Sequence, residues 1–181
     1  MNVGLLILRL VVGGLLVGHG VQKLFGWFGG HGIRGTGQFF EAIGYRPGRP
    51  MAILAGVSEA GGGLLLATGT MTPLGAAAIA GVLLNAVVSV HWPKGLWNTN
   101  GGMEFPLSLA ATALALVFTG PGRYAVDEVI GWNLAGLGWG LAATAVAVGA
   151  AIATLAVRAR AQRQEARAAK AAEPADVRAA A

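Results

Sequence analysis

The stretch VGLLILRLVVGGLLVGHGVQKLF, residues 3–25, decides the class of fold. A run of this length with so few polar residues is long enough to span a hydrocarbon core of about 30 Å as a helix. It has no basic leader and no small-residue cleavage site, so it is expected to be a retained helix rather than a signal peptide. Three ionisable residues interrupt it: Arg9, His19 and Lys23. At 100° per residue they fall within about 80° of one another on one helix face.

Four more apolar segments follow. Met51 to Gly69 and Thr72 to Trp92 are joined by a very short turn, which suits antiparallel helices. Glu104 to Thr119 is shorter and ends at the breaker Gly120-Pro121-Gly122. Asn133 to Val157 is an Ala/Gly-rich run long enough to cross. The expected fold is therefore all-α, a polytopic membrane helix bundle with a four-helix core and a fifth C-terminal hydrophobic helix. Residues 1–130 form the core, with a Gly-rich loop at 26–50, and 131–157 the additional transmembrane helix. Residues 158–181 form a basic, partly disordered cytoplasmic tail, which continues the fifth helix into water and frays after Pro174. Within the loop, Phe39, Phe40 and Ile43 beside Glu41 suggest a short interfacial or re-entrant helix after Thr36.

Composition agrees with this. Of 181 residues 55% are hydrophobic and 12% charged, and mean hydropathy is +0.62; soluble domains carry about 25% charged residues. Nine charged residues lie between Arg158 and Arg178, which leaves 12 for the first 157 positions. That excludes an ordinary soluble globule, and the hydrophobicity excludes a disordered chain. Zero cysteines exclude disulfides, Cys-ligated metal or iron–sulfur centres and a catalytic thiol. No metal site and no nucleic-acid motif is evident, and the basic tail suggests an anionic membrane surface.

With five crossings, Arg34, Arg46, Arg49, Lys94 and the tail share one side, against Arg123 on the other. The positive-inside rule then puts the tail in the cytoplasm and the N-terminus outside. Trp27, Trp92 and Trp132 fall at span ends, as interfacial anchors do. Gly14-x-x-x-Gly18, Gly61-Gly62-Gly63 and Gly136-x-x-x-Gly140 are expected to permit close helix packing.

Charges in hydrocarbon cost on the order of 2.5–3.5 kcal/mol each, so each needs a reason. Glu59 lies near the middle of the second span, Asn85 and His91 lie in the third, Lys94 just beyond it, and Glu104 opens the fourth. Antiparallel threading places His19, Lys23, His91, Lys94 and Glu104 at one level. Glu59 lies deeper, and Arg9 approaches it from the other side with an axial offset of about 6–8 Å. An Arg9–Glu59 pair is expected, with His19 as its third member. Register-setting ion pairing, snorkelling lysines and helix-to-helix hydrogen bonds would account for these groups without any ligand. Their convergence across four helices points instead to a polar pocket for a small anion or a quinone-like head group, with apolar walls for its tail. The candidate ligand residues are Arg9, His19, Lys23, Glu59, Asn85, His91, Lys94 and Glu104; no catalytic residue is assigned.

The residues also resemble a family signature. His19-Gly20-Val21-Gln22-Lys23-Leu24-Phe25-Gly26 is similar to the H-G-x-x-K-L-F-G block of the DoxX family of small bacterial integral membrane proteins. Gly56-Val57-Ser58-Glu59-Ala60-Gly61-Gly62 resembles its G-x-x-E-x-x-G-G stretch. His91-Trp92-Pro93-Lys94-Gly95 with Gly101-Gly102-Met103-Glu104-Phe105-Pro106-Leu107 resembles a third block, and Gly120-Pro121-Gly122-Arg123-Tyr124 to Asp127 a fourth. The resemblance implies a four-helix core in the bacterial inner membrane. It also implies association with redox proteins: thiosulfate:quinone oxidoreductases, quinone or oxidative-stress responses, and membrane oxidoreductase complexes. It supplies no catalytic residues, and it does not extend to the fifth segment or the tail.

Three function classes follow. The leading one is a membrane subunit or accessory of a redox or oxidative-stress system, quinone- or thiosulfate-linked, more a non-catalytic subunit than an enzyme. In it Lys23, Lys94 and His91 attract the head group, Glu59 or Glu104 moves protons, and an oxidoreductase is the partner in the bilayer or at its surface. The second is a haem b electron carrier with His19 and His91 as axial ligands; it ranks last, because Lys23 and Lys94 are explained without haem. The third is a scaffold or small-solute permease, although no internal repeat of the transporter kind is present. Homo-oligomers are compatible with all three.

Overall fold

The computed structural model describes residues 1–172, and they are helical, with no strand among them. The expected fraying after Pro174 lies outside the described residues. Seven helices run in order: α1 (Asn2–Phe25), α2 (Gly32–Ala42), α3 (Gly48–Thr68), α4 (Thr72–Ala86), α5 (Glu104–Thr119), α6 (Val126–Val129) and α7 (Leu137–Ala172). Beyond Ala86, α4 continues through a π-turn, Val87–His91, and a 3-10 turn, Trp92–Lys94. Pro93 lacks the N–H that regular helix would need there, so the widened turn gives way to a stop. Four helices are long and apolar enough to cross a bilayer: α1, α3, α4 as far as Lys94, and α7. Large apolar side chains such as Ile7, Leu10, Leu64, Leu141 and Ile152 are exposed on the outer surface. That is the surface a bilayer solvates.

The core lies among α1, α3, α4 and α5, where Leu16, Leu66, Ile79, Leu116 and Val117 are fully buried. The most extensive helix pairing is between α1 and α3. A methyl group at Gly13 would lie 2.5 Å from the Gly63 carbonyl, and one at Gly20 would strike the Ala60 backbone. The expected packing pair, Gly14 and Gly18, meets nothing within 4 Å. Small residues were correctly tied to packing, but the interface uses the adjacent face of α1. Gly61 and Gly136 likewise face open space, whereas Gly62, Gly63 and Gly140 are in close contact.

Helix α7 packs against α4 and α5 and adds Ala143 and Ala147 to this core, with Ala143, Ala147 and Ala151 turned inward at four-residue spacing. Gly81 of α4 meets Ala147 and Ala150, and Asn85 meets Thr154. Both numbers rise together, so α7 runs parallel to α4. At 36 residues, or about 54 Å, α7 outruns any hydrocarbon core. Its stretch from Arg158 to Glu165 clasps the α2–α3 connection. Arg158 donates to the Ile43 carbonyl at 2.7 Å and stands over the Tyr45 ring at 5.8 Å, and Arg46 pairs with Glu165. Helix α2 starts at Gly32, ahead of the expected position, because glycines that read as loop are helical where α1 and α3 pack on them.

A polar-headed cavity between α3, α4 and α7

The register of α1 on α3 determines which charges meet. Gly13 opposes Gly63 and Ala67, and Gly20 opposes Gly56 and Ala60. Glu59 therefore sits level with His19, while Arg9 is ten residues away, or about 15 Å along the axis. The expected Arg9–Glu59 pair does not form. Lys23 Nζ instead lies 2.6 Å from Glu59 Oε2, with the carboxylate side chain 6% exposed and the lysine 24%. The His19 ring meets Phe105 edge-on at 6.1 Å.

Arg9 belongs to the opposite end of the bundle. Its Nη1 donates to the Pro121 carbonyl at 2.7 Å and its Nη2 to that of Tyr124 at 2.9 Å, while its Nε is buried without a partner. Asp127, also buried, accepts from the backbone N–H groups of Met71 and Thr72 and from the Thr72 hydroxyl at 2.7–3.0 Å. It thereby satisfies the free donors at the start of α4. Arg9 and Asp127 thus tie the Gly120–Asp127 connection to the ends of the spans. They serve assembly at that end.

At the Lys23 end, a cavity of about 470 Å³ opens between α3 and α7 over α4, with α2 at its mouth. Its walls are apolar: Phe39, Leu54, Leu74, Val82, Val146 and Ala150. Phe39, Leu54, Leu74 and Val146 are exposed on the outer surface, so the cavity opens toward the lipid side. Its polar groups are few. Lys23 and Glu59 form one cluster, and Ser58, Ser89 and His91 also line it. A second cluster joins three elements: the Tyr45 hydroxyl donates to Asn85 Oδ1, and Asn85 Nδ2 donates to Thr154 Oγ1. His91 Nδ1 is 2.7 Å from the Gly101 carbonyl. Ser89 and His91 lie in the π-turn, which widens the helix where it borders the cavity.

Of the eight residues anticipated, the structure brings Lys23, Glu59, Asn85 and His91 to this cavity, with His19 beside Glu59. Lys94 and Glu104 are exposed in the Trp92–Glu104 connection, where Glu104 Oε2 accepts from the Asn98 N–H at 3.0 Å. They are surface groups of that loop. Tyr45 and Thr154 were not anticipated. A lone hydroxyl in an apolar run carries no charge signal, and only the Asn85 partnership singles them out. Among the described residues no group of three or more His, Asp or Glu is placed to hold a metal ion.

The DoxX family profile matches residues 4–92, which contain the Lys23–Glu59 pair, Tyr45, Asn85 and His91. A Bacillus subtilis (strain 168) protein named "Putative oxidoreductase CatD" is 30% identical over 129 residues, covering 71% of this chain and 88% of the relative. The chain belongs to the DoxX family. No solved structure matches it. In this DoxX protein the profile ends at Trp92, so α5, α6 and α7 lie beyond it. The cavity is therefore built from both parts of the chain: the matched segment supplies the ion pair and Asn85, and α7 supplies Val146, Ala150 and Thr154.

Proposed function

We propose that this DoxX protein is a membrane subunit or accessory of a redox or oxidative-stress system and that it holds a quinone in the cavity between α3 and α7. The observation that carries the reading is a cavity with apolar, lipid-facing walls and hydrogen-bonding groups at its polar end. A lipophilic carrier arriving from the bilayer meets Leu54, Leu74 and Val146 along its tail, and Lys23, His91 and Asn85 at its ring oxygens. A free anion such as thiosulfate is the weaker fit. The positive charge of Lys23 is already neutralised by Glu59, and an anion entering the cavity would face that carboxylate as well. His19 and His91 have other neighbours in Phe105 and Gly101, so nothing in their surroundings favours haem ligation over this reading.

In this role the chain positions a carrier, and an oxidoreductase in or on the membrane supplies the electron transfer. The name of the Bacillus relative supports a redox setting. The distribution of basic residues supports a cytoplasmic Lys23 end and tail. Extraction of the full chain from native membrane in mild detergent, followed by solvent extraction of its lipids, tests the proposal. Quinone is expected in near-stoichiometric amount and is expected to fall sharply in a Lys23→Met/Glu59→Gln variant that still inserts. A chain that carries no quinone and takes none up when it is supplied would overturn it.

A further inference from the structure

We infer that Asn85 is a head-group recognition residue of this cavity and that Thr154, on the helix beyond the family-matched segment, is the residue that positions it. The inference rests on the quinone reading above and assigns the specificity of that site. Among the described residues Asn85 is the only carboxamide lining the cavity, and it bridges two side chains from outside α4. Its Oδ1 accepts from Tyr45, which is 4% exposed between Phe40 and Arg158. One amide hydrogen goes to Thr154 Oγ1, and the Thr154 hydroxyl can pass its own hydrogen to the Ala150 or Ala151 carbonyl at 2.8 or 3.0 Å.

This arrangement fixes the orientation of the amide. The Thr154 hydrogen is used on its own helix, so Thr154 accepts from the amide nitrogen, and Oδ1 is left facing the Tyr45 hydroxyl, which can donate to it. An amide has two hydrogens, and only one of them is used on Thr154, while Asn85 itself lines a cavity whose walls are mostly apolar. A ligand oxygen placed there receives a neutral hydrogen bond from a donor whose orientation is already set, so little ordering cost accompanies binding. An apolar ligand of the same shape leaves that hydrogen unpaired. Asn85 therefore favours an oxygen-bearing ring over a hydrocarbon ring with the same tail. Discrimination built on one neutral hydrogen bond is about tenfold.

The test compares two probes that differ only in ring oxygens, a 1,4-benzoquinone with a ten-carbon tail and decylbenzene. Binding of each to the detergent-solubilised full chain is titrated by native mass spectrometry. The wild-type chain is expected to prefer the quinone. Asn85→Leu should narrow the preference about tenfold by weakening the quinone alone. Thr154→Val should narrow it in part, and Thr154→Ser, which retains the hydroxyl, should restore it. Should Asn85→Leu fail to fold, the Thr154→Val and Thr154→Ser pair decides the matter. An unchanged preference in Asn85→Leu, or in Thr154→Val where that variant decides, overturns this inference and leaves quinone binding standing. A wild-type chain that binds neither probe, or both equally, overturns the inference; if the quinone is not bound at all, the quinone reading fails with it.

Discussion

Removing Lys23 alone should harm this protein more than removing Lys23 and Glu59 together. In Lys23→Met the Glu59 carboxylate, 6% exposed in the middle of α3, loses its ion-pair partner. Breaking a buried pair by deleting one member costs about 3–5 kcal/mol. The lysine side chain is 24% exposed, so water already screens part of the pair, and about 2–4 kcal/mol is the better figure here. Glu59→Gln should cost less, about 1–2 kcal/mol, because the freed ammonium lies in the last turn of α1 and can turn toward the membrane surface. In Lys23→Met/Glu59→Gln no charge is left buried, so the double variant should regain about 2 kcal/mol relative to Lys23→Met. A double-mutant cycle read by denaturing-detergent titration of the purified protein measures this coupling. Single effects that add to within about 0.5 kcal/mol would refute the argument, since they would mean that the two groups do not sense each other.

The α1–α3 interface makes a second prediction: Gly13→Leu should abolish recovery of monodisperse protein, while Gly14→Leu, one position away and facing open space, should leave it intact. Size-exclusion profiles of the two variants distinguish them. At the other end of the bundle, Asp127→Ala should lower stability by about 2–3 kcal/mol, because three donors at the start of α4 lose their acceptor. Glu128→Ala, at an exposed neighbouring position, should fall within about 0.5 kcal/mol of wild type in the same thermal melts. Finally, the chain contains no cysteine, so Gln164→Cys introduces a single thiol on the exposed end of α7. Under the proposed orientation, a membrane-impermeant maleimide should label it only after the cells are permeabilised. Labelling of intact cells would reverse the topology.

The membrane class and the positions of the apolar segments were legible because they depend on quantities local in sequence. Twenty apolar residues in a row can satisfy their backbone in lipid only as a helix, whatever their neighbours are. The importance of Lys23 and Glu59 was legible for the same reason, since a charge within such a run is costly wherever it ends up. Their mutual pairing was not. Axial levels estimated from span ends carried an error of several residues, and an error of about 7–9 Å was enough to assign Glu59 to Arg9. Lys94 and Glu104 were misplaced by the same reasoning, because two groups can share a membrane level and still lie outside the bundle. Tyr45 and Thr154 carried no signal at all, being common residues in unremarkable positions.

Taken alone, the sequence of this DoxX protein determined the solvent it folds in, where its long apolar helices lie and the residues whose burial needs a reason. The tertiary structure decided which of those residues meet. That choice rests on the contact between Gly13 and Gly63 and between Gly20 and Ala60, where missing side chains let two backbones touch and set the register of α1 on α3. It rests equally on the parallel docking of α7 against α4, which completes a cavity from segments about 70 residues apart in the chain. Steric fit between helices is a pairwise property of surfaces, and no single segment contains it.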